Sequence, residues 1–253
     1  MTEQTDPGQQ SDQHEECAEV RRPRGIYLLP NLFTTGALFA GFYAVIAGMG
    51  GRFEAAAVAI FIAMVFDGLD GRVARLTNTQ SKFGAEYDSL SDMVSFGVAP
   101  ALVAFTWVLE DLGKVGWFAA FIYAASGALR LARFNTQIGS IDKRYFMGLP
   151  SPAAAASVAG LIWFCAANEI DPAPFGYPVA LYVVLAGVLM VSNVLYYSFK
   201  DVDLKGRIQF LKLAMIVLAA AVIATNPALF LWLLFLVYAF SGPLLWLWRR
   251  RPH

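Results

Sequence analysis

The sequence predicts an all-α fold, a polytopic bundle of about eight transmembrane helices with both termini on the cytoplasmic side. Composition is the first reason. Of 253 residues, 58% are hydrophobic and 15% are charged, whereas a soluble domain carries about 25% charged residues. Mean hydropathy is +0.54. So few charges cannot cover a globule of this size, which excludes an ordinary soluble enzyme, a disordered chain, a coiled coil and a disulfide miniprotein. The other two reasons are the length of the apolar runs and the placement of Lys and Arg.

A helical span needs about 20 largely apolar residues. That ruler marks 31–50, 53–71, 88–109, 115–134, 151–168, 176–197, 208–224 and 227–247. The last two are parted only by Thr225-Asn226-Pro227, so they read as a hairpin, and no internal repeat is visible. With the N-terminus in the cytoplasm, all of the 19 Lys and Arg residues except Arg52 and Lys114 fall on the cytoplasmic side. This is the positive-inside pattern, satisfied at every loop. Residues 1–20 are polar, lack the apolar core of a signal peptide and read as a disordered tail. Residues 21–30 form a basic juxtamembrane segment, with Arg21, Arg22 and Arg24 suited to anionic headgroups. A core of six spans is expected over 31–200, and a C-terminal two-span hairpin with a basic tail over 201–253. The expected location is the cytoplasmic membrane of a prokaryote.

Cysteine and histidine contribute by default. Cys17 sits in the polar tail and Cys165 in an apolar run, which makes neither a disulfide framework nor a metal knuckle. His14 and His253 are both terminal. Acid, base or metal chemistry in the membrane body therefore rests on carboxylates.

Those carboxylates are conspicuous. The second span runs into Asp67 and Asp70, and the third opens with Asp88 and Asp92. A carboxylate at membrane depth costs about 2.5–3.5 kcal/mol on insertion scales, so it persists where it pairs, binds a cation or lines a wet cavity. Asp67 and Asp70 are i, i+3 and Asp88 and Asp92 are i, i+4, so each pair shares a helix face. Consecutive helices on a short loop are antiparallel neighbours, and both pairs lie near the same end. Four clustered negative charges repel without a cation. Hard divalent ions take oxygen ligands, and Mg2+ is commonly held by carboxylates together with substrate phosphates. The cluster predicts one or two Mg2+ or Mn2+ ions and a phosphate-bearing substrate. Gly71 and Gly84 would let a large ligand approach the backbone, although small residues also serve helix packing. Arg75, one turn beyond Gly71, suits a phosphate or snorkels to the interface.

The full string is Asp67-x-x-Asp70-Gly71-x-x-Ala74-Arg75, eight residues, Gly84, three residues, Asp88, three residues, Asp92. At a residue frequency of roughly 5–10% each, eight fixed identities arise by chance below about 10^-8 per starting position. The string resembles the signature of the CDP-alcohol phosphatidyltransferase family at every fixed position. The resemblance implies that Asp67, Asp70 and Asp88 ligate two divalent metals, while Asp92 contacts metal and acts as the base. It implies that Gly71, Ala74, Arg75 and Gly84 shape the pocket for the CDP moiety. Ser81 in the loop, and Pro30, Asn31 and Thr34 at the entry to the first span, are similar to nucleotide and diphosphate contacts. Asn31 and Thr34 could equally cap the first helix. A homodimer is also implied.

The acceptor alcohol must come from elsewhere in the chain. The text around the motif, ALRLARFNTQ and DKRYFMGLPSPAAAA resemble the integral-membrane branch that uses L-serine. On that resemblance the partners are CDP-diacylglycerol, L-serine and membrane lipids, with no nucleic acid, and the active site faces the cytoplasm. Arg130, Arg133 and Asn135 at the end of the fourth span, with Lys143 and Arg144 beyond, could hold a serine carboxylate or a lipid phosphate. Glycerol 3-phosphate or an inositol phosphate as acceptor would want the same cations. A divalent-cation transporter is the rival from another class. Against it, the four carboxylates crowd one end and none continues across the membrane. Gly148-Leu149-Pro150-Ser151-Pro152 reads as a tight helix entry without chemistry.

Overall fold

The computed structural model describes residues 28–77, 79–136, 145–197 and 210–249. The polar tail, Arg21, Arg22, Arg24, Cys17, His14, His253, Lys143 and Arg144 lie outside them. Among the described residues the chain forms eight helical rods and one small two-stranded ribbon. The rods are α1 (Leu28–Met49), α2 (Phe53–Leu76), α3 (Lys82–Leu112), α4 (Lys114–Thr136), α5 (Ser151–Ala167), α6 (Gly176–Val191), α7 (Phe210–Thr225) and α8 (Pro227–Arg249). The strands β1 (Tyr145–Met147) and β2 (Leu195–Tyr197) pair antiparallel, with Phe146 opposite Tyr196.

The eight rods match the eight apolar runs in order. Five of them, α1, α3, α4, α6 with its preceding turn, and α8, are long and apolar enough to cross a membrane. The 17 residues of α5 and 16 of α7 are shorter apolar helices, and α2 carries Asp67, Asp70, Arg72 and Arg75 in its last turns.

Three boundaries depart from the sequence expectation by five residues or more, the first being the end of the second rod, which runs on to Leu76 rather than 71. The third rod starts at Lys82 rather than 88, because Ser81 caps it: the Gly84 N–H donates to Ser81 Oγ at 3.0 Å. The sixth stops at Val191 rather than 197. Beyond Ser192, Leu195–Tyr197 is extended and pairs with β1, as aromatic residues favour. That ribbon ties the α4–α5 connection to the segment after α6. Gly148 follows β1 with φ +79°, and a Cβ there would collide with the Met190 carbonyl oxygen. Only glycine combines that conformation with that approach.

The central rod is α3. Some 61% of its apolar window is buried, against 39% or less for the other four spanning rods. It packs against α1, α2, α4, α5 and α6, while α1 lies along α2, α4 along α6, and α5 along α2 and α8. It is not a uniform helix. After an α-helical stretch over Lys82–Asp92 it widens into a π turn over Met93–Val98, resumes over Ala99–Ala104, and widens again over Phe105–Leu109. The fully buried Tyr123 of α4 donates its hydroxyl to the Phe96 carbonyl inside the first π turn, at 3.2 Å. Trp232 packs in the bundle against Phe164, with ring centroids 5.2 Å apart, whereas Trp248 is exposed.

Candidate active site

The carboxylates meet where α2 ends and α3 begins. Asp67, Asp70 and Asp88 each present a ligand oxygen, and these oxygens all lie within 4.8 Å of one another. Asp92 stands one turn further along α3, in hydrogen-bonding reach of Asp67 and within electrostatic reach of Asp88 and Arg130.

Local contacts fix this geometry. The Asp70 side chain is buried, and Thr34 Oγ1 donates to its Oδ2 at 2.7 Å. Hydroxyls flanking the α3 carboxylates hold that rod on α1. Tyr87 meets Thr35 at 2.9 Å, Ser91 donates to the Thr34 carbonyl at 3.1 Å, and Ser95 donates to the Ala37 carbonyl at 3.1 Å. Positions 87, 91 and 95 repeat every four residues, so one face of α3 clamps α1 while the neighbouring face carries Asp88 and Asp92. The capping alternative for Thr34 does not hold. Because α1 begins at Leu28, Thr34 lies within the helix, where its hydroxyl serves Asp70 and the Pro30 carbonyl.

Beside the carboxylates opens a cavity of about 350 Å3. Its walls include Pro30, Asn31, Thr34, Gly71, Ala74, Arg75, Ser81 and Gly84, with Asp70 and Asp88 at one edge. The structure thus brings to one cavity every residue that the sequence put forward for the CDP moiety. Nothing lies within 4 Å of where a Gly71 Cβ would point, so that face is open to a ligand. Arg75 folds back to donate from Nε to the Gly71 carbonyl at 2.8 Å, which keeps its guanidinium at the cavity wall. Thr79, Gln80 and Ala85 line the same cavity and were not put forward. They lie in or next to the spacer between Arg75 and Gly84, and a spacer held between two ligand-shaping halves is itself a wall.

The residues put forward for the acceptor side separate. Arg130 joins the site: it is within electrostatic reach of Asp92 and Asp67, and its Nη1 donates to Ser151 Oγ at 2.8 Å. Ser151 belongs to the Gly148–Pro152 entry, which was given no chemistry. Arg133 instead donates to Asn193 Oδ1 at 3.2 Å, and Asn135 pairs with Ser89, donating from Nδ2 to Ser89 Oγ at 3.1 Å.

A larger cavity, of about 940 Å3, lies at the opposite end of the rods between Arg52, Glu54, Asp111, Glu169 and Asp171. Volume would favour it, but the donor set does not. Among the described residues only Asp67, Asp70 and Asp88 group closely enough to hold a metal ion. Three close carboxylates suit a hard divalent cation.

The family model for CDP-alcohol phosphatidyltransferases matches residues 27–197. The chain belongs to that family. Within it, the CDP-diacylglycerol–serine O-phosphatidyltransferase of Helicobacter pylori is 38% identical over 88% of this chain and 92% of its own length. The enzyme of the same description from Mycobacterium tuberculosis is 33% identical over 87% of this chain and 80% of its own. That from Saccharomyces cerevisiae is 36% identical over 61% of this chain and 64% of its own. The family signature falls on α2 and α3, where the carboxylates and the smaller cavity lie.

Thr34 provides a test of how the site is held. Thr34→Val removes the hydroxyl that braces Asp70 while keeping the β-branched shape. Groups that orient ligand side chains typically contribute 10–100-fold to metal affinity. The expected result is about a tenfold rise in the Mn2+ concentration needed for half-maximal activity, with little change at saturating Mn2+.

Proposed function

We propose that the protein transfers the phosphatidyl group of CDP-diacylglycerol to the hydroxyl of L-serine, giving phosphatidylserine and CMP. The observation that carries this reading is the convergence of Asp67, Asp70 and Asp88 with a nucleotide-sized cavity. The serine-specific relatives support the choice of acceptor.

Asp67, Asp70 and Asp88 would hold Mg2+ or Mn2+, two ions with Asp92 completing the set, at a site whose donors are all hard oxygens. When bound, the ions supply positive charge to the diphosphate. The protein's own residues do the rest. The open face at Gly71 and the walls at Ala74, Ser81 and Gly84 receive the cytidine diphosphate, with Pro30, Asn31 and Thr34 at its rim. Arg75 places a guanidinium at that wall for a phosphate oxygen. Arg130 serves the acceptor side in this reading, while Arg133 and Asn135, engaged with Asn193 and Ser89, would have to turn from those partners to join it; Lys143 and Arg144 belong to the same reading. Asp92 accepts the serine hydroxyl proton. The serine oxygen bonds to the lipid-linked phosphorus, the bond from that phosphorus to the bridging oxygen breaks, and CMP leaves with the electron pair.

The charge pattern supports placing the carboxylate end on the cytoplasmic face. A homodimer is what the family resemblance implies, and a core over 31–200 followed by a C-terminal hairpin over 201–253 belongs to the same reading. One assay tests the function directly. Purified protein is given CDP-diacylglycerol with serine, glycerol 3-phosphate or an inositol phosphate, and the lipid product is identified. Phosphatidylserine with equimolar CMP is expected; a phosphatidylglycerol phosphate or an inositol lipid instead would reassign the acceptor. Mn2+ uptake into vesicles without CMP release would favour a transporter.

A further inference from the structure

Both arginines at the end of α4 are met by residues that flank the β1–β2 ribbon. Ser151 Oγ accepts from Arg130 Nη1 at 2.8 Å, and Asn193 Oδ1 accepts from Arg133 Nη1 at 3.2 Å. Ser151 stands four residues after β1, and Asn193 two before β2. The ribbon thus gathers both at the end of the bundle where Asn135 meets Ser89, the neighbour of Asp88.

Of the two, Ser151 is a fixed point. The Gly148 N–H donates to the Val194 carbonyl at 2.8 Å and the Leu149 N–H to the Leu189 carbonyl at 2.9 Å, which pins the approach to α5 against the end of α6. Pro150 takes the N-cap position, and the Ala154 N–H donates to its carbonyl at 3.0 Å. Ser151 is the first residue inside α5 and only 1% exposed. A serine in the capping position spends its oxygen on a backbone N–H. Here Pro150 holds that position, and the Ser151 oxygen is turned to Arg130 instead.

Arg130 is the mobile partner of this pair. A long side chain has much rotamer freedom to lose, and the buried Nε of Arg130 has no hydrogen-bond partner among the described residues. The bond at Nη1 ties the far end of that side chain to the fixed point, within electrostatic reach of Asp92 and Asp67. Without the serine oxygen, a donor of a charged group would be left facing apolar surroundings.

We infer that Ser151 is a positioning residue for the acceptor side of the site, holding the Arg130 guanidinium by its Nη1. This rests on the reading of Arg130 as the acceptor-side cation, and it gives the Gly148–Pro152 entry a part in the reaction. Ser151 acts through Arg130 and is not among the residues that line the cavity for the CDP moiety. Its loss therefore reaches the acceptor and spares the donor lipid.

The test is Ser151→Ala in the full chain, with KM measured separately for the acceptor and for CDP-diacylglycerol and the melting temperature recorded alongside. A hydrogen bond to a charged group is worth about tenfold. The acceptor KM is expected to rise by that factor, with the CDP-diacylglycerol KM unchanged. Ser157, equally buried in α5, donates to the Ala154 carbonyl of its own helix at 2.8 Å. Ser157→Ala is expected to leave the ratio of the two KM values at the wild-type figure. Ser151→Thr and Ser151→Val are alike in shape and differ in the hydroxyl, so their comparison decides the matter even where Ser151→Ala does not fold. Threonine is expected to keep the wild-type ratio and valine to shift it as alanine does. Equal changes in both KM values, no change in either, the same ratio for threonine and valine, or the same shift for Ser157→Ala would overturn the proposal. The ratio is read with whichever alcohol the wild-type protein uses, so an error in the serine assignment appears in the wild-type assay and not in this comparison.

Discussion

Asp92→Asn is expected to reduce CMP release by about 10^2- to 10^4-fold, the usual contribution of a positioned general base, while CDP-diacylglycerol still binds. The expectation follows from where Asp92 stands. It stands one turn beyond Asp88, in hydrogen-bonding reach of Asp67 and electrostatic reach of Arg130, and is not among the residues that line the cavity that would take the nucleotide. Asparagine has the same shape and leaves the packing of α3 on α1 intact, because Tyr87, Ser91 and Ser95 make those contacts. An amide cannot accept the hydroxyl proton, so the chemical step suffers and the donor complex does not. Single-turnover CMP release and equilibrium binding of CDP-diacylglycerol separate the two. If binding falls in parallel with turnover, Asp92 is chiefly a metal ligand and another group takes the proton.

Chelation should be nearly as damaging. Asp67, Asp70 and Asp88 bring three negative charges within a few ångströms at one end of the bundle, and CDP-diacylglycerol adds a diphosphate. Like charges at such separations repel strongly, so without ions the donor lipid approaches a site of its own sign. Metal stabilisation of several kcal/mol corresponds to about a thousandfold in rate. Activity is therefore expected to vanish in excess chelator and return on adding Mg2+ or Mn2+. Asp70→Asn should shift that titration to higher metal concentration, since it removes a charge from the most buried of the three positions. Undiminished turnover in excess chelator would remove the ions from the account.

The carboxylate site was legible because its physics is local. Spacings of three and four residues place Asp67 with Asp70 and Asp88 with Asp92, and a short loop makes the two helices neighbours. Of the cavity residues, Gly71, Arg75 and Gly84 were marked by their place beside the carboxylates, and the others only through the family resemblance. Nothing in the composition of Pro30 or Ser81 marks them, and Ser81 caps α3 whatever else it does. Long-range pairings were out of reach. Thr34 meets Asp70 across 36 positions, Arg130 meets Ser151 across 21, and Tyr196 meets Ala239 across 43. Each depends on how rods pack, which no short pattern encodes. Helix ends were misjudged where polar residues extend a rod beyond its apolar run, at Lys82, or where an apolar run continues past the helix as a strand, at Leu195–Tyr197. Glycines at helix crossings read as small residues, yet the specific partner, as at Gly242 and Tyr196, emerges only in three dimensions.

The π turn over Met93–Val98 sits immediately after Asp92. A π turn admits one residue more than an α turn, which rotates everything downstream about the rod by roughly 100° relative to an uninterrupted helix. The portion of α3 that presents Asp88 and Asp92 is thus out of phase with the portion that fills the middle of the bundle. Substitutions that repack the middle of the bundle therefore act on a face set off from the one that carries the carboxylates.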